Sequence, residues 1–208
     1  PAVASSGNHF GSRLVWAPDG SLFVTTGDRG SARPEVQKPD TTIGKVLNLK
    51  PDGSAANSQP AQPDWDRKIW SLGHRNIQGA ALDPATGQLW TVEHGARGGD
   101  ELNLTTRGKN YGWPIITYSN EYFGGAIGEG TARPGIEQPV YYWVPSIATS
   151  GLAIYTGDLF PEWKGNIFVG GLKGAQLARL VLKNGEVVAA ETLLQDLDQR
   201  IRDVRQGP

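Results

Sequence analysis

Hydrophobic and polar residues alternate with a period of two in several short segments of the chain. Residues 14–26 (LVWAPDGSLFVTT) show this most clearly, with Pro18, Asp19 and Gly20 between two alternating runs. Proline fixes φ, aspartate can accept from the backbone, and glycine tolerates positive φ, which together favour a tight turn. The pattern therefore predicts two antiparallel strands joined by a turn.

The same unit recurs along the chain. Further copies are predicted over residues 79–93, more loosely over 153–170, and at the start of a fourth unit over 201–208, with an Asn-Gly hairpin over 177–188. Units that recur at long intervals are typical of propeller blades, each a four-stranded sheet, although sandwiches also contain such units. The sequence predicts an all-β fold in a single domain over residues 1–208.

Composition supports short strands and long connections. The chain holds 28 Gly and 14 Pro, and no segment predicts a helix longer than about two turns. Residues 31–68 and 105–140 are rich in Gly, Pro, Asn and Ser and are predicted to be long loops, which in compact domains are usually functional or disordered.

Charge and residue usage exclude several classes of protein. A net charge of -1 gives no global attraction for nucleic acid, and no run of apolar residues approaches a membrane span. Cysteine is absent and only three His are present, so disulfides are excluded and a zinc site is disfavoured. Because the chain begins at Pro1 and contains no Met, we expect a fragment or a processed product.

Two polar loops precede predicted strands. His9 lies before the first strand, where a residue with a pKa near neutrality can act as a general base, or simply pack at the surface. Residues 73–79 (GHRNIQG) place Arg75 and Asn76 before a later strand. A guanidinium and an amide suit carboxylates and carbonyls, although a polar turn has the same composition.

Two further clusters follow strands. Residues 93–101 (EHGARGGDE) combine flexible backbone with carboxylates, the oxygen ligands that calcium prefers, although a solvated acidic loop has the same composition. Lys173 follows a later strand, and Arg200 and Arg202 share one side of an extended segment. These cations indicate either an anionic ligand or an exposed basic edge.

Seven stretches together resemble one family, the soluble pyrroloquinoline quinone (PQQ)-dependent glucose and aldose sugar dehydrogenases, and the chain is more similar to the aldose branch. The stretches are 8–14 (NHFGSRL), 73–79 (GHRNIQG), 100–103 (DELN), 108–114 (GKNYGWP), 150–157 (SGLAIYTG), 171–173 (GLK) and 200–203 (RIRD). The resemblance implies a six-bladed β-propeller with PQQ at the mouth of its channel. We expect the chain to cover about four blades, with N-terminal and C-terminal blades missing.

The resemblance also implies roles for individual residues. His9 corresponds to the proton acceptor, and Asp100 to the acid that orients it. The implied cofactor contacts are Arg75, Asn76, Tyr122, Lys173, Gly174, Arg200 and Arg202. The implied calcium ligands are the carbonyls of Gly95 and Ala96, and Glu101 with Tyr111 at a further site. His94 and Ala96 replace a Gln and a Pro of the glucose enzyme, and Ser146 stands in place of a Thr near the cofactor.

The expected activity is oxidation of aldose sugars to lactones, with PQQ and calcium as cofactors and an external electron acceptor. The resemblance implies a periplasmic or secreted protein; no nucleic acid partner and no membrane span are expected. Two alternatives stay open: a calcium-dependent propeller sugar lactonase, and a non-catalytic propeller that binds a glycan or a protein partner. The lactonase would not need Lys173, Arg200 and Arg202 together.

Overall fold

The computed structural model of the chain describes residues 7–207, and within them β-strands dominate. The strands are β1 (Leu14–Trp16), β2 (Leu22–Thr25), β3 (Lys45–Leu49), β4 (Ile69–Leu72), β5 (Ile77–Leu82), β6 (Leu89–Glu93), β7 (Asp100–Thr105), β8 (Tyr141–Trp143), β9 (Thr149–Ile154), β10 (Ile167–Gly171), β11 (Gln176–Lys183) and β12 (Glu186–Leu193). The helical elements in this part of the chain are 3₁₀ turns at Arg33–Glu35, Pro161–Trp163 and Gln195–Leu197. None of the described helices is long and apolar enough to cross a bilayer.

The strands form three four-stranded antiparallel sheets, β1–β4, β5–β8 and β9–β12, in which consecutive strands are neighbours. Local turn chemistry explains the hairpins. Gly20 closes the β1–β2 turn with φ 80°, and Asn184 and Gly185 both adopt positive φ between β11 and β12. Left-handed backbone at both central residues matches the twist of a two-residue hairpin. The predicted turns at residues 18–20 and 184–185 are confirmed.

The first strands of the sheets pack side by side, β1 against β5 and β5 against β9. Gly79 permits this approach, because a Cβ there would lie 2.5 Å from the Ser150 carbonyl oxygen. One apolar cluster fills the space between the first and second sheets, and a larger one fills the space between the second and third. Successive sheets packed face to face through such cores define propeller blades.

Three blades lie within residues 7–207, against the expectation of about four. The segment expected to open a fourth, residues 201–207, forms no strand, and Pro208 lies outside the described residues. It nevertheless runs beside the third sheet, since the Ile201 amide donates to the Gly171 carbonyl and the Ser150 hydroxyl donates to the Ile201 carbonyl.

The two long segments predicted as loops differ in outcome. Residues 31–68 include a regular strand, β3, whereas residues 106–140 are an excursion between β7 and β8. This excursion pairs with the outer edge of the first sheet through a parallel bridge between Leu72 and Asn110, and the Trp113 amide donates to the Gly73 carbonyl. The loop thereby delivers Trp113 to the face where the first strands of the sheets begin.

Candidate functional site

The polar residues singled out in the sequence meet at one face of the three sheets, at the segments that lead into β1, β3, β5, β7, β9 and β11. His9 lies on the segment before β1, and Arg75 and Asn76 lie on the passage from β4 to β5. Loop ends of an all-β scaffold are free of ladder hydrogen bonds, so their side chains and backbone groups are available for ligands.

His9 lies in a defined hydrogen-bonding position. Its Nδ1 is 2.6 Å from Asp28 Oδ1, and its Nε2 is 3.2 Å from Arg75 Nη2. A guanidinium can only donate, so Nε2 accepts and carries the lone pair, while Nδ1–H donates to the carboxylate. The ring is therefore held as the neutral tautomer with its basic nitrogen directed at Arg75.

Asp28 is the carboxylate that orients this ring. Its Oδ1 also accepts from the Gly30 amide at 2.7 Å, and its Oδ2 accepts from Trp113 Nε1 at 2.8 Å. Burial by itself would raise the pKa of Asp28, but the hydrogen bonds from His9, Gly30 and Trp113, and the charge that His9 carries when it is protonated, outweigh burial, so the pKa lies below the ordinary value. Asp28 is thus held ionised.

The backbone around His9 is tightly enclosed. His9 has φ 57° and Arg29 has φ 56°, both in the left-handed region, and Arg29 Nη1 donates to the His9 carbonyl at 3.0 Å. Gly27 packs so closely that a Cβ there would collide with the His9 carbonyl oxygen. Asn76 adds a further contact, since its Oδ1 accepts from the Gly11 amide at 3.0 Å. Left-handed non-glycine residues cost energy and concentrate at functional sites.

The expectation that Asp100 lies against the His9 ring is wrong in this structure. The Asp100 carboxylate instead accepts from the Gly95 amide at 2.9 Å and from the Ser146 hydroxyl at 2.9 and 2.8 Å. Its buried charge therefore fixes the 94–99 turn and the segment before β9. The partner of His9 comes from the β2–β3 connection instead.

A cleft of about 1080 Å³ lies beside these residues, between the second and third sheets. Two cations, Arg97 and Lys173, line it, and no Asp or Glu is among its lining residues. Tyr122 also lines the cleft, and its hydroxyl lies 3.4 Å from Arg75 Nη2. Arg75 further donates to the His94 carbonyl at 3.0 Å, so it joins His9 to the cleft wall. The arrangement is cationic and suits an anion.

The remaining predicted cations are placed differently. Arg200 and Arg202 are exposed, and neither is among the residues that line the cleft. Gly174 lies beside Lys173 at the β10–β11 turn, where both amides donate to the Ile147 carbonyl. The described residues therefore bring Lys173, Gly174, Tyr122 and Arg75 to one region, but do not bring Arg200 and Arg202 into it.

The turn between β6 and β7 presents unpaired carbonyl groups. The Gly95 amide is held by Asp100 and the Ala96 amide by Ser119 Oγ at 2.9 Å, while neither carbonyl accepts a hydrogen bond from the described residues. Both residues line the cleft. A hard cation such as calcium takes oxygen ligands of this kind.

A second pocket, the small pocket, has a volume of about 10 Å³, enough for about one water-sized sphere, and lies beneath this turn. Glu93, Glu101 and Tyr111 line it. Burial, together with the charge of Glu93, raises the pKa of Glu101 to about 8. The Tyr111 hydroxyl donates to the Leu104 carbonyl and accepts from the Thr106 amide, so only its backbone carbonyl remains available. Within residues 7–207 no cluster of three or more His, Asp or Glu side chains is arranged as a metal site.

Sequence reasoning gave no individual role to several residues of the site, although Glu93, Arg97 and Trp113 lie in stretches that it singled out: Asp28, Arg29, Glu93, Arg97, Trp113 and Ser119. Asp28 follows a strand in the same way as the predicted residues, so its position carried a weak indication. Trp113 and Ser119 lie within a long loop, and nothing local indicates which strand ends that loop reaches.

A three-bladed array with a cationic cleft at one face defines a β-propeller with a small-molecule site. A family model described as Glucose / Sorbosone dehydrogenase matches residues 1–208. The chain belongs to this family.

Similar proteins agree with that assignment. The chain is 43% identical over 208 residues to aldose sugar dehydrogenase YliI of Escherichia coli, covering 98% of this chain and 56% of that protein. The apo-form crystal structure of the soluble aldose sugar dehydrogenase from Escherichia coli matches with a TM-score of 0.91 at 42% identity, covering 98% of this chain and 60% of the other. The PQQ-bound aldose sugar dehydrogenase from Streptomyces coelicolor matches with a TM-score of 0.77 at 30% identity, covering 97% and 54%. The chain thus spans little more than half the length of these relatives.

Proposed function

We propose that this protein oxidises aldose sugars at C1 to lactones, with PQQ and calcium as cofactors and His9 as the general base. The observation that carries the proposal is the hydrogen-bond pair of His9, which fixes the lone pair on Nε2. A general base must offer such a lone pair within hydrogen-bonding reach of the proton it removes.

In the proposed reaction the anomeric hydroxyl of the sugar donates its proton to His9 Nε2. Arg75 donates to the same nitrogen at 3.2 Å, and because Nε2 has a single lone pair, the sugar hydroxyl would have to displace this hydrogen bond when it binds. The C1 hydrogen leaves as hydride, the C1–O bond becomes a carbonyl, and Asp28 stabilises the imidazolium that forms. The electron pair thus leaves with the hydride, and the proton leaves through the imidazole.

PQQ, when bound, supplies the quinone that accepts hydride, since no side chain can. It carries three carboxylates, and the cleft meets an anion with Arg97 and Lys173 and no opposing acidic side chain. Arg75 Nε is buried and has no hydrogen-bond partner among the described residues. It is therefore a free donor on the guanidinium that lies between His9 and the His94 carbonyl. The residues present therefore fit a polyanionic cofactor.

The calcium proposal depends on oxygen atoms that have no other partner. The Gly95 and Ala96 carbonyls would hold a calcium at the cleft, where a cation stabilises charge that develops during hydride transfer. Glu101 and the Tyr111 carbonyl would hold a second ion in the small pocket. The raised pKa of Glu101 marks a buried carboxyl without a cation partner among the described residues.

Further roles remain proposals. Tyr122 lines the cleft and would contact the cofactor directly, and the buried Asn76 would do so only through its free amide nitrogen, since its Oδ1 accepts from the Gly11 amide. Arg200 and Arg202 would reach the cofactor only by extending from the exposed segment that follows the third sheet. Asp100 acts on the cleft through Gly95 and Ser146. The electron acceptor is external, and export to the periplasm or the medium is proposed from the family alone.

The lactonase and the non-catalytic alternatives receive less support. Neither requires a base whose tautomer is fixed by a buried carboxylate beside a cleft lined by cations. Membership of a dehydrogenase family also favours the redox reaction.

A titration of the apoprotein with PQQ and calcium tests the proposal. We expect absorbance changes on adding PQQ with calcium, dye-linked oxidation of aldoses only when both are present, and loss of activity with a chelator. His9→Ala should lower turnover by about 10²- to 10⁴-fold while PQQ binding is mostly retained. Lys164→Gln, which changes an exposed lysine far from the cleft, is the control. Normal aldose oxidation by His9→Ala would show that another group is the base.

A further inference from the structure

Glu93, at the end of β6, lies almost wholly buried beneath the site and uses all its acceptor capacity. Oε1 accepts from His74 Nδ1 at 2.9 Å and from Asn103 Nδ2 at 3.2 Å. Oε2 accepts from the Arg75 amide at 2.6 Å and more weakly from the Asn76 amide at 3.4 Å. A carboxylate has about four lone-pair positions, so this one is saturated.

Three of these four donors belong to consecutive residues, 74–76. They form the passage from the outer strand of the first sheet, β4, to the inner strand of the second, β5. A passage between two sheets has no ladder of its own to fix it, so its amides need other partners. Glu93 supplies them from β6, and one buried carboxylate therefore fixes the passage that carries Arg75 and Asn76.

Both of those residues then contact the segment that carries the base. Arg75 Nη2 lies 3.2 Å from His9 Nε2, and Asn76 Oδ1 accepts from the Gly11 amide at 3.0 Å. A shift of the passage would move the guanidinium and the amide together. We propose that Glu93 is a positioning residue that acts on His9 through Arg75, an inference that rests on the proposed function of His9 as the base.

His74 extends this contact into the first sheet. Its Nδ1–H donates to Glu93, and its Nε2 lies 2.9 Å from Ser71 Oγ on β4. The order Ser, His and Glu matches that of hydrolytic triads, but Ser71 is completely buried and no substrate reaches it. Glu93 and His74 therefore hold the passage from below, whereas Ser71 contacts only the far nitrogen of the His74 ring and is not a nucleophile.

The saturated state of Glu93 also separates it from a metal role. Among residues 7–207 Glu101 accepts only from Asn103 and keeps an oxygen toward the small pocket, whereas Glu93 would have to release an amide or His74 to bind a cation. The positioning role thus predicts that replacing Glu93 disturbs His9 more than it disturbs calcium binding.

The test compares Glu93→Gln, Arg75→Met and the double variant, with Ser71→Ala as the matched control, since Ser71 contacts His74 and lies three hydrogen bonds from Arg75. Glutamine keeps the shape of the side chain but replaces one acceptor oxygen by an NH₂ donor. It therefore cannot accept from both His74 Nδ1 and the Arg75 amide. We expect Glu93→Gln to lower kcat by roughly 10- to 100-fold, the usual worth of a supporting partner, when kcat is measured at saturating calcium so that the charge removed beside Glu101 does not limit the rate. In the Arg75→Met background the same change should have a much smaller effect on kcat, because the guanidinium through which Glu93 acts on His9 is already absent.

A second readout needs no cofactor. The ¹⁵N shifts of the three histidines report tautomers in the apoprotein, and we expect the His9 signal to change in Glu93→Gln and in Arg75→Met, but not in Ser71→Ala. If Glu93→Gln unfolds the protein, Glu93→Asp, which keeps the charge and shortens the reach, replaces it in both measurements. Independent, multiplying effects on kcat, an unchanged His9 signal, or loss of calcium as the main effect would each overturn the proposal. If the His9 signal changes as expected in the apoprotein variants but the wild-type protein loaded with PQQ and calcium does not oxidise aldoses, only the proposed function is contradicted.

Discussion

Replacing Asp28 by asparagine changes one atom of the group that orients His9. The native carboxylate receives three donors: His9 Nδ1 and the Gly30 amide on Oδ1, and Trp113 Nε1 on Oδ2. Asparagine has nearly the same volume but offers one oxygen and one NH₂. Because all three surrounding groups donate, no orientation of the amide satisfies them all.

The introduced amide has two possible orientations. With its oxygen toward His9, the NH₂ faces the Trp113 N–H, and two buried donors oppose each other. With its NH₂ toward His9, the imidazole must accept at Nδ1 and carry its proton on Nε2, which removes the lone pair that the mechanism uses. Either orientation leaves at least one buried donor without an acceptor.

The magnitude follows from these contacts. One unsatisfied buried donor costs about 1–3 kcal/mol, so the free energy of unfolding should fall by about that amount. Loss of the orienting charge acts on the rate as well. The corresponding change in a Ser-His-Asp hydrolase costs about 10⁴ in kcat, and a general base is worth about 10²–10⁴, so we expect kcat to fall by about 10²- to 10⁴-fold.

Steady-state aldose oxidation at saturating PQQ and calcium measures this effect, and urea unfolding measures the stability change. Asp100→Asn is the matched control, because Asp100 contacts Gly95 and Ser146 instead of His9. It should weaken PQQ or calcium binding more than it lowers kcat at saturation. If Asp28→Asn retains kcat while Asp100→Asn loses it, the assignment of the orienting carboxylate is refuted.

Three further predictions concern the same face. Gly27→Ala should displace the His9 segment and lower both kcat and stability, by about 1–3 kcal/mol for the latter, because its Cβ would collide with the His9 carbonyl oxygen; a thermal melt at the wild-type midpoint would contradict this. Lys45 Nζ donates to the Val36 and Ile43 carbonyls at 2.7 and 2.6 Å, and burial lowers the pKa of Lys45 to about 7. The unfolded chain therefore binds this proton more strongly between pH about 7 and the ordinary pKa of 10.5, so the free energy of unfolding should rise with pH across that window, and urea titrations should show no such rise in Lys45→Met. Glu101→Gln should abolish calcium binding at the small pocket, as calorimetry would show, whereas a variant with the exposed Glu186→Gln change should bind as the wild type does.

Much of the fold follows from local sequence. Residues 14–26 predicted a hairpin whose turn the structure contains, and the Asn184-Gly185 pair predicted the β11–β12 turn. Both depend on interactions between residues close in the chain, namely alternation of apolar side chains and the φ preferences of Gly, Asn and Pro. The prediction of blades followed from the repetition of these units.

The strand within residues 31–68 was not predicted. β3 pairs with β2 and β4, and its residues Lys45 and Asn48 are buried through contacts with the backbone and with Ser21. A buried lysine interrupts the apolar alternation by which a strand is found, since its ammonium is satisfied by carbonyl groups of the preceding loop. The burial that makes this strand regular is a property of the packed sheet.

The features of the site likewise divide into those set by local sequence and those set by tertiary packing. The sequence by itself determined that His9, Arg75, Asn76, Gly95 and Lys173 stand at strand ends, because strand ends are set by local pattern. Only the tertiary structure decided that Asp28 and not Asp100 accepts from His9, and that Glu93 fixes the passage carrying Arg75. Such pairings depend on the paths of loops whose residues lie far apart, as Trp113 donates to Asp28 across 85 positions. A carboxylate can accept from any donor that packing brings within about 3 Å, so the partner is chosen by the path of the backbone and not by residue type.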